Sequence, residues 1–188
     1  MPLCGKTVDM PWLAEQAGVT EVVGVEYVQQ AVDEFVKENP ALKLRKAKPV
    51  GPYRSVVSNG AVTLLAGDIF ALPPTPQFQR VWDRASLVAL DPVQREAYAR
   101  TVSAALAPGG LYLLCVFERV AGPAAARAAG PPFSVTEADV KALFGAQFSI
   151  KKVSCEDAID ANAGFRRSGL TKVLDVCYLM TKKAAPKL

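Results

Sequence analysis

The sequence predicts an α/β fold, a three-layer sandwich in which helices cover both faces of a mostly parallel sheet. Unbroken apolar runs, typical of buried parallel strands, alternate with amphipathic helical patterns along the chain. A glycine turn at Gly5 separates a short apolar start from the first helix. The last two apolar runs, residues 148–154 and 173–181, follow each other as a closing pair, which indicates an antiparallel last strand.

The first predicted strand is short, because residues 1–4 alone precede the turn at Gly5. We therefore expect either a first strand that is cut short or an N-terminally truncated form of a longer protein. The 188 residues are expected to form a single domain, since a chain of this length buries about 70% of the surface that it exposes when unfolded.

The first half of the chain is expected to carry two helices, a strand and a hairpin. Thr7 or Asp9 can cap the first helix, and Pro11 then falls in its first turn, where no amide donor is needed. Asn59-Gly60 between β-branched runs predicts the hairpin. The predicted elements are a helix at residues 7–17, a strand at 21–25, a helix at 27–38, and hairpin arms at 54–57 and 62–65, the second continuing to residue 70 as the third strand.

In the second half, a proline-rich loop that includes Pro76 precedes the fourth strand. Asp91-Pro92 is typical of a helix start, and Ser134 or Thr136 can cap a later helix. The predicted elements are a strand at residues 78–82, a helix at 91–106, a strand at 111–117, a helix ending at 144 and the closing pair of strands.

The composition excludes several classes of protein. The sequence has no histidine, which excludes Ser/His/Asp and Cys/His catalytic groups and histidine-ligated metals. The net charge of +4 comes from scattered basic residues, so no nucleic-acid partner is expected. No apolar run reaches the length of a membrane span. The four cysteines are far apart, and we expect reduced, buried thiols in a cytoplasmic protein.

Candidate binding residues follow the predicted strands. Ligands of such sheets bind beyond the carboxyl ends of the strands. Glu26 ends a strand about 20 residues after Gly5, the spacing of a ribose-binding carboxylate. Asp68 can accept a hydrogen bond from the amine of an adenine, and Ile69 can pack on the base. The structural alternative for Glu26 and Asp68 is that each carboxylate only caps the next helix. Arg84 follows the fourth predicted strand, and its structural alternative is an ion pair with Asp83 or Asp91.

The sequence also resembles a known family. Pro-Leu-Cys-Gly-Lys at positions 2–6 and Trp-Asp-Arg at positions 82–84 are its most specific blocks. Further matching blocks lie at residues 7–14, 23–26, 85–90, 112–114 and 130–133. Together they resemble the thiopurine S-methyltransferase family of class I S-adenosylmethionine-dependent methyltransferases. The resemblance implies a Rossmann-like methyltransferase fold that binds S-adenosyl-L-methionine.

The resemblance also implies roles for individual residues. Leu3 and Gly5 correspond to the cofactor turn, and Glu26 to the ribose ligand. Asp68 and Ile69 would flank the adenine. Arg84 would lie between cofactor and acceptor, as a cofactor-binding, substrate-binding and catalytic residue. A basic residue before the last strand faces the acceptor in the family; Gly164 aligns nearest to it, and Arg166 is the candidate substrate-binding residue here.

The implied reaction is methyl transfer to a small aromatic or heterocyclic thiol, by a monomer without membrane or nucleic-acid partners. The alternatives are a halide or thiocyanate methyltransferase and a truncated, non-catalytic cofactor-binding protein. Tyr27, Trp12 and Phe133 are either pocket aromatics or packing residues.

Overall fold

The computed structural model describes residues 1–48, 51–75 and 78–184, so Pro76 of the predicted proline-rich loop lies outside the described residues. Contacts divide the chain into two compact units, Met1–Leu72 and Pro73–Leu188. The single domain expected from the chain length stays a prediction, and each unit is described by itself. Within the described ranges, no helix is long and apolar enough to cross a membrane.

The first unit packs two helices on a small sheet. Among its described residues the strand order is β1-β4-β3-β2, with β1 and β4 parallel and the other neighbours antiparallel. Met10, Val32, Phe35 and Leu64 are fully buried in its core. Its elements are α1 (Asp9–Ala14), β1 (Val22–Glu26), α2 (Gln29–Glu38), β2 (Arg45–Ala47), β3 (Ser55–Ser58) and β4 (Val62–Ala66).

The predicted hairpin is present in this unit as β3 and β4, but β4 ends at Ala66 instead of continuing to residue 70, because Ile69–Ala71 forms a 3-10 turn. The Asn59 side-chain oxygen accepts hydrogen bonds from the backbone N–H of Ala61 (2.9 Å) and of Val62 (2.7 Å), which stabilises the turn. Strand β2 was not predicted, because its three residues are all exposed and carry no alternating apolar pattern. Helix α1 ends three residues before the predicted position 17.

The second unit holds the other sheet, with strand order β5-β6-β8-β7 in the part of the unit that the structure describes. Strands β5 and β6 are parallel, and β8 runs antiparallel to both β6 and β7. The elements are β5 (Phe78–Arg84), α3 (Ser86–Ala89), α4 (Arg95–Ala105), β6 (Leu106–Ala121), α5 (Ala124–Ala128), α6 (Glu137–Phe144), β7 (Phe148–Asp157), α7 (Ala163–Arg167) and β8 (Lys172–Lys182).

The antiparallel last strand and the α/β class are confirmed, but both sheets are mixed rather than mostly parallel. The helix predicted over residues 91–106 begins as a 3-10 turn at Pro92–Gln94 and ends at Ala105, because Leu106 already pairs with Phe78 as the start of β6. Thr136, not Ser134, caps α6 and forms a capping box with Asp139.

The expectation of four reduced, buried thiols is wrong for three cysteines. Cys115 and Cys177 stand directly opposite each other on β6 and β8 and form a disulfide. Cys155 is a free thiol but exposed, and Cys4 is a free thiol and buried. The strand register brings the pair together, although the two cysteines are 62 positions apart in the sequence and no local pattern indicates the bond.

Candidate active site

In the first unit, the chain start lies beside β1. Pro2 forms an isolated parallel bridge with Val25, and the Cys4 N–H donates to the Val25 carbonyl oxygen at 3.1 Å. The predicted first strand at residues 1–4 is therefore present only as this isolated bridge beside β1. Because this strand and β1 end at the same edge, Gly5 meets Glu26, and its N–H donates to Glu26 Oε2 at 2.9 Å.

Gly24 makes this close approach possible. A Cβ at Gly24 would lie 2.6 Å from Cys4 Sγ and 2.8 Å from Met10 Sδ, closer than packed atoms approach. The sequence pattern indicates Gly24 only as one residue of an apolar strand. A Cβ here would force the Cys4 and Met10 side chains to shift, so glycine lets the turn and α1 pack closely on β1.

Glu26 is nearly buried, with 9% of its surface exposed. Its Oε1 accepts from the Val28 N–H at 2.8 Å, just before α2, so the capping contact exists alongside the contact to Gly5. A carboxylate has about four lone-pair sites, so both oxygens can each accept one further hydrogen bond.

The turn itself leaves room for a ligand. Gly5 has φ +52°, and a Cβ placed there would meet no atom within 4 Å. Leu3 also adopts a positive φ, of 43°, in the same turn. Open backbone beside a hydrogen-bond acceptor suits a ribose, which has two hydroxyl donors, so the residues present fit an adenosine-containing cofactor.

Asp68 and Ile69 follow β4 at the same edge. The Gly67 N–H donates to the Glu26 carbonyl oxygen at 2.9 Å, which places this loop next to the end of β1. Asp68 is exposed, and its Oδ1 accepts from the Phe70 N–H at 2.9 Å as the cap of the 3-10 turn Ile69–Ala71. Ile69 is buried in the unit, so little of its surface remains for a base. The roles of both residues at the adenine stay predictions.

Arg84 ends β5 in the second unit and is exposed. Its register partner on β6 is Cys115. Burial and the neighbouring Glu156 raise the pKa of Asp175 on β8, while the Arg84 guanidinium lowers it. Asp175, which sequence analysis missed, is thus an electrostatic neighbour of Arg84.

The two carboxylates that were considered as ion-pair partners of Arg84 have other contacts. Asp83 is buried and accepts hydrogen bonds from two tyrosine hydroxyls. Asp91 Oδ1 accepts from the Val93 N–H at 3.0 Å and caps the turn before α4. The sequence contained no signal for these contacts beyond the helix-start pattern at Asp91-Pro92.

Arg166 lies on α7 and forms a two-pronged ion pair with Asp160. The Arg166 Nη2 donates to Asp160 Oδ2 at 2.8 Å, and its Nε donates to Oδ1. This guanidinium lowers the pKa of Asp160. The buried Phe165 anchors the helix, so Arg166 and Arg167 follow on an ordered element. A substrate contact by Arg166 stays a prediction.

The loop between β6 and α6 is held by Arg119. Its Nη1 and Nη2 donate to the carbonyl oxygens of Ala126 and Pro132, each at 2.6 Å. The Phe133 N–H donates to the Val88 carbonyl oxygen, also at 2.6 Å. The loop containing Gly-Pro-Pro-Phe is thereby tied to both β6 and α3.

Comparison with known proteins identifies the family. The model of the family described as Thiopurine S-methyltransferase (TPMT) matches residues 1–183. The chain belongs to the thiopurine S-methyltransferase family. Its relatives include the thiopurine S-methyltransferase of Bos taurus, 34% identical over 97% of this chain and 73% of the relative. The thiopurine S-methyltransferase of Xanthomonas campestris pv. campestris (strain 8004) is 35% identical over 97% of this chain and 80% of the relative.

Solved structures with a similar fold include methyltransferases of other substrates. The 1,6-didemethyltoxoflavin-N1-methyltransferase of Burkholderia thailandensis, solved with S-adenosylhomocysteine, has a TM-score of 0.59 at 17% identity, covering 97% of this chain and 69% of that one. An arsenic(III) S-adenosylmethionine methyltransferase of Chlamydomonas reinhardtii has a TM-score of 0.66 at 17% identity, and the match covers 100% of this chain and 64% of that one. These similarities confirm the Rossmann-like methyltransferase fold.

Proposed function

We propose that this chain transfers the methyl group of S-adenosylmethionine to a small aromatic or heterocyclic thiol. The observation that carries the proposal is the match to the thiopurine S-methyltransferase family over residues 1–183. The contact between Gly5 and Glu26 supports it, since it provides an acceptor beside open backbone where the family places its cofactor.

In this proposal the first unit binds the cofactor. The two Glu26 oxygens accept from the ribose hydroxyls while keeping their backbone contacts to Gly5 and Val28. Leu3 and Gly5 shape the turn. Asp68 and Ile69 lie beside the adenine. When bound, the cofactor supplies an electrophilic methyl group on a sulfonium sulfur.

Arg84 has the central role toward the acceptor. Its exposed guanidinium at the end of β5 can hold a thiolate, or the anionic ring of a heterocyclic thiol, through paired N–H donors. An ionised thiolate is already a nucleophile, so alignment and exclusion of water supply the acceleration. The absence of histidine is compatible with this reaction, because no general base is required.

The first experiment is calorimetric titration of the chain with S-adenosylhomocysteine, followed by methyl-transfer assays. The panel contains thiophenol and a purine thiol, with iodide and bisulfide as competing acceptors. We expect one-to-one binding and turnover of both aromatic thiols. A folded chain that does not bind S-adenosylhomocysteine would contradict the cofactor site, and preferential methylation of iodide or bisulfide would favour the halide methyltransferase.

Arg84→Lys tests the role of the guanidinium. Lysine keeps the charge but loses the planar pair of donors. We expect turnover with thiols to fall more than S-adenosylhomocysteine affinity. Arg167→Lys is the matched control, because Arg167 is an exposed arginine on α7. An unaltered turnover in Arg84→Lys would make Arg84 a structural residue.

The proposal extends to a cytoplasmic monomer with a small-molecule substrate and neither nucleic-acid nor membrane partners. The scattered basic residues support the absence of a nucleic-acid partner. The Cys115–Cys177 disulfide is unusual for a reducing compartment, so cell fractionation of the native protein tests this part of the proposal, and protein found outside the cytoplasmic fraction would contradict it.

A further inference from the structure

A fully buried carboxylate directly precedes Arg84. Asp83 is 1% exposed. Its Oδ2 accepts from the hydroxyls of Tyr98 and Tyr112, each at 2.6 Å, and its Oδ1 accepts from the Ser86 N–H at 3.1 Å. The donors therefore come from α4, from β6 and from the start of α3.

Both tyrosines belong to the packed interior of the second unit. Tyr98 and Tyr112 are fully buried. The Tyr112 ring packs edge-on against Phe144 and Phe148, with ring centroids 5.5 and 6.0 Å apart. These rings lie on α6 and β7, so two further elements hold the Tyr112 ring in place.

The network fixes the backbone around Arg84. The next residue, Ala85, has φ +70°, a left-handed conformation that is rare for alanine. Its N–H donates to the Cys115 carbonyl oxygen at 3.2 Å. Asp83 closes the turn by accepting from the Ser86 N–H, so Arg84 stands between two residues that cannot shift independently.

Core stability alone does not require this arrangement. Burial raises the pKa of Asp83, and the hydrogen bonds from Tyr112, Tyr98 and Ser86 lower it in opposition. Buried charged networks are often replaced by apolar side chains at little or no cost in stability. Because burying the Asp83 carboxylate is costly and the exposed Arg84 directly follows it, we interpret the network as holding Arg84 in position.

We propose that Tyr98 and Tyr112, acting through Asp83, are positioning residues that align the Arg84 guanidinium for methyl transfer. This inference rests on the proposed function. Neither tyrosine touches substrate in this proposal. Each removes freedom from the turn that presents Arg84, so removing one hydroxyl leaves the protein folded but the guanidinium misaligned.

A double-mutant cycle with Arg84 tests this. Tyr112→Phe and Tyr98→Phe are each made in the native chain and in Arg84→Met. We expect each to lower kcat for a thiol about 10-fold in the native background, the scale of a small misplacement of a catalytic group. The same change should alter kcat less than about 2-fold in Arg84→Met, because the group being aligned is gone.

Tyr178→Phe is the matched control, since Tyr178 is equally buried on β8 and its hydroxyl is not a donor to Asp83. It should leave kcat unchanged. If one tyrosine variant fails to fold, the other carries the cycle.

Two results would overturn the inference: unchanged kcat in folded Tyr98→Phe and Tyr112→Phe, or an equal loss in both backgrounds. An inactive native chain would instead contradict the proposed function, so the two failures are distinguishable.

Discussion

Glu26→Gln separates the two roles that the structure gives to one carboxylate. Glutamine keeps the volume of the side chain but has a single accepting oxygen. The N–H groups of Gly5 and Val28 donate to different Glu26 oxygens, at 2.9 and 2.8 Å, so the glutamine NH₂ group faces one of them and leaves it without an acceptor. The same substitution removes the negative charge offered to the ribose.

The expected magnitudes follow from these contacts. Leaving one N–H without an acceptor costs about 1–3 kcal/mol, and the remaining bond weakens by about 1 kcal/mol when its acceptor becomes neutral. Both amides are only partly buried, so we expect a loss of about 2 kcal/mol in the free energy of unfolding. Weaker bonds to the ribose hydroxyls should lower cofactor affinity by about 1.5–3 kcal/mol, roughly 10- to 150-fold in Kd.

Two measurements on the same samples distinguish the roles. Urea unfolding without ligand reports the capping role, and calorimetric titration with S-adenosylhomocysteine reports the ligand role. Glu38→Gln is the control, because Glu38 lies exposed in the same unit and pairs with Lys6. If folded Glu26→Gln is destabilised but binds S-adenosylhomocysteine with native Kd, Glu26 is a structural cap and the reasoning about the ribose is refuted.

Further predictions concern packing, thiols and surface charge. Gly24→Ala should lower the free energy of unfolding by about 1–3 kcal/mol through overpacking, as measured by urea denaturation, and native stability would contradict the observed packing. In native protein a thiol reagent should label the exposed Cys155 and spare Cys4, whose pKa burial raises to about 12; labelling of both before unfolding would be inconsistent with this. Hydrogen bonds from Lys141 and Lys152 lower the pKa of Glu137 from 4.5 to about 2. Its contribution to stability is therefore complete above pH 4.5 and lost as the pH falls through about 2. A carboxyl NMR titration at low salt should show that midpoint, and a value near 4.5 would exclude these ion pairs in solution.

Local patterns predicted much of the secondary structure. The turn chemistry of Asn59-Gly60 placed the hairpin, since the Asn59 side chain binds backbone N–H groups within its own turn. Boundaries were less accurate where two elements share an apolar sequence, as at Leu106, which continues the helical pattern but pairs with Phe78. The short exposed β2 gave no pattern, because its hydrogen bonds to β3 depend on backbone alone.

The candidate site residues were also predicted only in part. The spacing of Gly5 and Glu26 indicated their shared edge, because parallel neighbours end on the same side of a sheet. It did not indicate that both Glu26 oxygens already bind backbone N–H groups. Arg166 was named without its partner, since Asp160 lies six residues away across the start of α7.

The sequence by itself determined the order of the longer strands and helices, the hairpin and the spacing of Gly5 and Glu26, because these depend on residues close along the chain. Tertiary structure alone decided the environment of Asp83. Its carboxylate, once buried, needs donors, and packing supplied them from Tyr98 and Tyr112, residues 15 and 29 positions away. The same is true of the disulfide, since the register of β6 and β8 rather than any local pattern brings Cys115 opposite Cys177.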